Sequence, residues 1–260
     1  MQTRHGIVEF SVSMHHIKNA INEIAKNADF SKQADAAKGG NSSSSIKILD
    51  VGAGTGRYSV EFCHLGYDVT AVELVPRNLE VLRAKHEKIK TWQGNALDLS
   101  FLEENKFDLA ICFGPMYHLH TKEERLCVLA QLKRVVKKNG IIFAAYIMND
   151  YAVLQYCFAK NKIKDVLQSG GLTKDFCCVP SKEDLYTYLR LSDINELQKE
   201  SGLERIKIFN QEGAADFMRQ TLNAMDEETF RLFIDYTISI SERPELLGAG
   251  THIVDVLRNI

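Results

Sequence analysis

The run Ile48-Leu49-Asp50-Val51-Gly52-Ala53-Gly54-Thr55-Gly56 constrains this chain more than any other. A strand-like segment leads into three glycines spaced two apart, and a helix-compatible segment follows at once. Glycine takes the positive φ values of a tight turn at no steric cost and lets other atoms approach the backbone closely. Strand, turn and helix in that order open a doubly wound sheet, whose ligands sit beyond the carboxyl ends of its strands. About twenty residues past Gly52 an acid, Glu73, ends a second apolar run. A carboxylate there can accept hydrogen bonds from both hydroxyls of a ribose.

The same rhythm continues to residue 147. Apolar runs predict strands over 46–51, 69–72, 89–92, 107–113 and 141–147. Helices fall between them: 56–65, a segment from Pro76 through Leu79 and Leu82, and one from Thr121. Glu124, three residues after Thr121, completes a capping box, and that helix runs through Leu129, Leu132 and Val136 to an end before Gly140. Near-continuous apolar strands alternating with amphipathic helices require a parallel sheet covered on both faces. The rhythm then breaks: 150–190 reads as mostly helical, without a clear strand. It resumes with a helix over 192–201, Asp193 and Glu196 at capping-box spacing and Gly202 as C-cap. A strand over 203–209, helix over 214–241 and a closing strand over 251–257 complete the chain. Ahead of the sheet, Met14, Ile17, Ala20, Ile21 and Ile24 form the apolar stripe of one helix, joined to the rest by a Gly/Ser-rich linker over 38–45.

Composition narrows the function classes. The 260 residues are 45% hydrophobic and 25% charged with a formal net charge of -2, so no basic excess draws the chain to nucleic acid. No apolar run approaches the ~20 residues that span a bilayer, and no export signal opens the sequence. The six cysteines form no CxxC pair and have no zinc-ligand spacing. That pattern predicts no metal and a reducing, cytoplasmic location. His15 and His16 are adjacent on a helix and diverge by ~100°, so they cannot share a metal; one of them could reach a ligand as part of a lid.

A dinucleotide turn, GxGxxG, would need glycine at position 57, where Arg57 stands. The actual GxGxG run, Asp50 through Gly56, resembles the first motif of the Rossmann-like (class I) S-adenosylmethionine-dependent methyltransferases, small-molecule type. Glu73, the loop Gly94-Asn95-Ala96 and the run Phe113-Gly114-Pro115-Met116-Tyr117-His118-Leu119 match further motifs of that family. The resemblance implies an α/β fold: a doubly wound, mostly parallel seven-stranded sheet with its last strand antiparallel, plus helical lid segments. It implies one domain over 1–260, with its core in 46–146 and 192–260, an N-terminal helical cap in 1–40 and a substrate lid in 150–190.

The implied cofactor is S-adenosyl-L-methionine, contacted by Asp50, Gly52, Ala53, Gly54, Gly56, Glu73, Leu74, Asn95, Ala96 and Phe113. Glu73 would hold the ribose. Asn95 stands where the family often has Asp; its amide oxygen can accept the adenine amine's hydrogen bond without charge assistance. Methyl transfer from a sulfonium is an in-line displacement, in which positioning supplies much of the acceleration and a protonated nucleophile must lose its proton. Tyr117, His118, Tyr146 and Tyr151, near the ends of the fourth and fifth strands, are the candidate contacts of a small-molecule methyl acceptor. His118 is the candidate general base, because imidazole titrates near neutrality. Arg57 could pair with a carboxylate of either ligand, and Cys177-Cys178 could line the pocket. Three other readings stay open: an RNA- or protein-directed methyltransferase, a nicotinamide-dependent oxidoreductase, and a non-catalytic cofactor-binding protein. An Asn/Asp-Pro-Pro-Tyr motif for planar amines is absent, Gly114-Pro115-Met116-Tyr117 standing there instead. The sequence expects no nucleic acid and no membrane partner, and it leaves the acceptor and the oligomeric state unread.

Overall fold

The computed structural model describes residues 3–35 and 45–260, without the side chains of 27–35 and 249. Most of the 38–45 linker therefore lies outside the described residues. Helix α1 (Arg4–Asp35) precedes the first unit, β1 (Lys47–Val51), α2 (Arg57–His64) and β2 (Asp68–Glu73). There follow α3 (Pro76–Arg83), β3 (Ile89–Gln93), β4 (Phe107–Cys112), α4 (Lys122–Val135) and β5 (Val136–Met148). The chain then passes through α5 (Asn149–Ala152), α6 (Ile163–Gln168), β6 (Tyr188–Leu189), α7 (Leu191–Ser201), β7 (Glu204–Asn210), α8 (Arg219–Ala224), α9 (Glu227–Ile240) and β8 (His252–Arg258).

The sheet order is β3-β2-β1-β4-β5-β8-β7. Strands β1 to β5 pair in parallel, while β8 runs antiparallel to both neighbours, β5 and β7. All seven expected strands are present, and the last is the reversed one. The eighth, β6, pairs only two residues with the end of β5. It is too short to leave a periodic signal in the sequence.

Strand alternation sorts the core into two layers. Leu49, Ala110, Ile142, Ala144 and Tyr146 face α4 and α7, against Val128, Leu132, Ile194 and Leu197. Ile48, Leu109, Ile111, Phe143 and Ala145 face the other way, against Val8, Val12, Ile17 and Ile21 of α1 and Phe230 of α9. Full burial of each such aliphatic side chain stabilises the fold by roughly 1.5–3 kcal/mol. The predicted capping box is formed: Thr121 Oγ1 accepts from the Glu124 amide at 3.1 Å and Glu124 accepts from the Thr121 amide at 3.0 Å. Helix α4 ends earlier than expected, at Val135, because the chain turns straight into β5. Gly140 lies inside that strand, where a Cβ would come within 2.9 Å of the Asp108 carbonyl. In α7 the expected Asp193–Glu196 pair does not cap; Asp193 instead accepts from the Arg190 amide at 2.8 Å. Gly202 ends that helix with φ 64. Residues 150–190 are helical only to Gln168, and the rest is irregular apart from one Leu172–Cys178 bridge and β6.

Candidate active site

The glycine turn is shaped by what surrounds each residue. Gly52, at φ 77, presses on Pro115, whose Cδ would lie 2.5 Å from an added Cβ. Gly56, at φ 84, is wedged against Leu82 of α3 at 2.2 Å from such a Cβ. Gly54, at φ 55, meets nothing within 4 Å, so its open side borders the cleft. Its amide donates to Glu73 Oε2 at 2.7 Å, while Glu73 Oε1 accepts from the Val75 amide at 2.8 Å and from Asn78 Nδ2 at 3.3 Å. One carboxylate thus ties the β1 turn to the start of α3, although Glu73 is only 6% exposed.

A cleft of about 630 Å³ opens at this edge of the sheet, lined by Gly52, Gly54, Glu73, Leu74, Asn95, Ala96, Phe113, Tyr117 and His118. Asn95 Oδ1 accepts from the Leu97 amide at 3.0 Å, which fixes the amide's orientation. Three residues expected to touch a cofactor do not line the cleft: Asp50, Ala53 and Gly56. Asp50 is buried beneath the turn and accepts from Ser59 Oγ of α2 at 2.5 Å. Burial pushes its pKa up to about 6, against the lowering by Ser59. Ala53 packs towards α3, and Gly56 is consumed by the contact with Leu82.

A second cavity of about 480 Å³ adjoins the first. Tyr117 and His118 line both, so they form the partition. Tyr117 donates to the Phe113 carbonyl at 2.5 Å. His118 Nδ1 donates to the Leu185 carbonyl at 2.8 Å. A carbonyl can only accept, so the proton sits on Nδ1 and, in the neutral ring, Nε2 keeps its lone pair. Arg125 holds this loop in place: buried on α4, it donates to the carbonyls of Met116, Thr121 and Leu119 and to Thr187 Oγ1.

Tyr151, a sequence candidate, lines the inner cavity and donates to Asp216 Oδ2 at 2.6 Å. Tyr146 does not reach it. It points from β5 into the opposite layer, 1% exposed, while its neighbour Ile147 faces the cavity. Alternation along a strand sends adjacent side chains to opposite faces, so only one of the two could line the site. His15 and His16 of α1 also miss it. His16 is buried with Nε2 2.9 Å from Ser241 Oγ and Nδ1 2.9 Å from Lys207 Nζ. Burial, then the Lys207 charge, pushes its pKa down to about 3. Arg57 pairs with neither ligand site; it donates to the Gly6 carbonyl at 2.8 Å and stacks over Phe10, clasping α1. Cys178 lines a further depression beside the inner cavity.

Sequence reasoning missed His5, Glu9, Glu212, Asp216, Arg219 and His252, all of which line the inner cavity. Glu212 accepts from both the His252 amide, at 2.8 Å, and His252 Nδ1, at 3.1 Å. Burial alone would depress the His252 pKa, but the charge and hydrogen bond of Glu212, helped by Glu9 and Asp216, raise it to about 9. A signal was present: polar residues follow β7 and open β8. Only an antiparallel β8 brings its first residues to the edge where the parallel strands end. Among the described residues, no cluster of three or more His, Cys, Asp or Glu side chains could hold a metal.

A parallel sheet in this order with one reversed strand, a glycine turn clamped by an acid and a cleft above it define the Rossmann-like methyltransferase fold. Residues 48–140 match the family model of the methyltransferase domain. Glycine/sarcosine N-methyltransferase from Aphanothece halophytica is 29% identical over 101 residues, covering 37% of this chain and 38% of that protein. Ubiquinone biosynthesis O-methyltransferase from Pelagibacter ubique is 30% identical over 102 residues, 38% of this chain and 41% of that protein. The matched segment thus spans about two fifths of those relatives. Among solved structures, an S-adenosylmethionine-dependent methyltransferase from Methanosarcina mazei superposes with a TM-score of 0.55 at 14% identity, covering 83% of this chain and 93% of that one. Geranyl diphosphate C-methyltransferase from Streptomyces coelicolor A3(2), bound to S-adenosyl-L-homocysteine, gives 0.53 at 11% identity, covering 94% and 83%. These likenesses establish the fold.

Proposed function

We propose that the protein transfers a methyl group from S-adenosyl-L-methionine to an N, O or C atom of a small molecule held in the inner cavity. The observation that carries this reading is the shared partition: Tyr117 and His118 border both cavities at the end of β4. A cofactor in one and an acceptor in the other would meet there. The cleft residues fit the cofactor. Gly54 leaves the space a side chain would fill, Glu73 offers a carboxylate to the ribose, Asn95 and Ala96 border the adenine, and Leu74 and Phe113 supply apolar walls. Asp50, Ala53 and Gly56 act from behind by shaping the turn. When bound, S-adenosyl-L-methionine supplies an electrophilic methyl group on a sulfonium. The chain supplies orientation, exclusion of water and, at His118 Nε2, a lone pair to take a proton.

The two relatives named above carry N- and O-methyltransferase names, so they support a small acceptor without fixing its atom. Residues 46–146 and 192–260 form the core in this reading, with α1 as a cap and 150–190 as the lid over the cavity. No helix among the described residues is long and apolar enough to cross a membrane. A cytoplasmic setting, in which the six cysteines stay reduced, suits the chain. The test is thermal stabilisation by S-adenosyl-L-methionine, S-adenosyl-L-homocysteine and NAD in parallel. A ligand at 100 times its Kd stabilises by ~2.7 kcal/mol. Stabilisation by the first two and not by NAD is expected; the reverse overturns the reading.

A further inference from the structure

The charges around the inner cavity can be paired off except for two, Glu9 and the solvent-exposed Lys160. Glu212 holds His252. Asp216 accepts from Arg219 and Tyr151 and lies 3.9 Å from His5. Lys160 lies over the Tyr156 ring, 5.6 Å from its centroid. Glu9, on the second turn of α1, lines the same cavity, and its carboxylate has no hydrogen bond or ion pair among the described residues. Burial raises its pKa, outweighing the attraction of His252. A desolvated carboxylate without a partner is costly, and an incoming cation removes that cost.

The rest of the wall selects among cations. Tyr117, Tyr151, Tyr186 and Tyr188 contribute aromatic rings to the cavity. A carboxylate with aromatic neighbours recognises an ammonium group through charge-assisted N–H···O bonds and cation–π attraction. An anionic ligand would find His252 and Arg219 already neutralised by Glu212 and Asp216, would have only the solvent-exposed Lys160 to pair with, and would face Glu9 with like charge. An alcohol would leave the Glu9 charge uncompensated. We propose that the methyl acceptor is a small primary or secondary amine, bound as its ammonium by the Glu9 carboxylate among these tyrosines. The nitrogen gives one proton to a base, His118 Nε2 in the reading above, and its freed lone pair takes the methyl as the methyl–sulfur bond breaks and S-adenosyl-L-homocysteine leaves. The proposal rests on the methyltransferase reading for the word acceptor; the binding site itself does not depend on it.

Calorimetric titration of the protein, with and without saturating S-adenosyl-L-homocysteine, tests it. The probes are amines, alcohols and carboxylates built on the same butyl, benzyl and phenethyl skeletons. At least one amine is expected to bind ten-fold or more tightly than its alcohol and carboxylate counterparts. Glu9→Gln should weaken that amine at least ten-fold while leaving the S-adenosyl-L-homocysteine affinity within two-fold, and Glu9→Asp should restore part of the loss. The proposal is overturned if no amine binds, if an alcohol or carboxylate binds as well as its amine, or if Glu9→Gln leaves amine affinity unchanged. Failure of S-adenosyl-L-homocysteine to bind while the amine still does would count against the methyltransferase reading and in favour of the ammonium site.

Discussion

Glu73 builds the site that, in the proposed reading, it also serves. Its oxygens accept from Gly54, Val75 and Asn78, so the carboxylate is fixed before any ligand arrives. Two carboxylate oxygens offer about four acceptor sites, and Oε2 has one bond from the protein, leaving capacity for a sugar hydroxyl. Glu73→Ala should weaken S-adenosyl-L-homocysteine binding ten-fold or more, since hydrogen bonds to a charged group contribute ~1.5–3 kcal/mol. Calorimetry giving an affinity within two-fold of wild type would refute its ribose role. His118 is the second residue to isolate. With Nδ1 committed to the Leu185 carbonyl, the ring is oriented and Nε2 keeps its lone pair in the neutral ring. Proton transfer by a positioned side chain contributes ~10²–10⁴-fold, so His118→Ala should lower kcat on that order with cofactor affinity retained. Unchanged turnover with a working acceptor would remove His118 from the chemistry.

Among the elements, α1 matters most, because it delivers His5 and Glu9 to the inner cavity while lining no part of the cofactor cleft. Arg57 pins it, bonding the Gly6 carbonyl and covering Phe10. Arg57→Ala should therefore raise the KM for the acceptor several-fold and leave S-adenosyl-L-homocysteine affinity within two-fold; steady-state kinetics beside calorimetry separates the two. A parallel loss of both affinities would mean that Arg57 supports the glycine turn instead. Local sequence was enough to read β1, its glycines, Glu73 and the Thr121–Glu124 cap, since each depends on neighbours within a few residues. The cleft lining Leu74, Asn95, Ala96 and Phe113 was legible through the family resemblance, whose motifs mark the loops at strand ends. What escaped depends on pairing at long range. Glu212 and His252 meet only because β8 runs backwards beside β5 and β7. Tyr146 misses the cavity that its neighbour Ile147 lines, because the face of β5 that borders a cavity is set by α1, more than a hundred residues away in sequence. His15 and His16 drew attention as a pair, yet the side of α1 that reaches the cavity carries His5 and Glu9.

For the whole molecule, burial of histidines on both sides of neutrality makes stability depend on pH in two opposed ways. His252 has a folded pKa of about 9 against an ordinary 6.5, so folding favours its charged form. Its contribution is complete below pH 6.5 and is lost as pH rises towards 9. That shift corresponds to about 3 kcal/mol at 1.36 kcal/mol per unit. His16 is the reverse: with a folded pKa of about 3, folding favours the neutral ring, and stability is lost as pH falls below 6.5. Asp50, raised to about 6 by burial, opposes His16 on the acid side, since its protonated form is favoured on folding and the gain fades between pH 3.8 and 6. The acid limb is therefore a difference of terms, and the alkaline limb between pH 6.5 and 9 is the clean measurement. Urea unfolding at pH 6.5 and 9 should show wild-type protein losing a few kcal/mol across that interval, while His252→Gln, which cannot titrate, loses much less. If the two proteins weaken equally between those pH values, the imidazolium held by Glu212 does not form in the folded state, and the pairing of charges around the inner cavity must be redrawn.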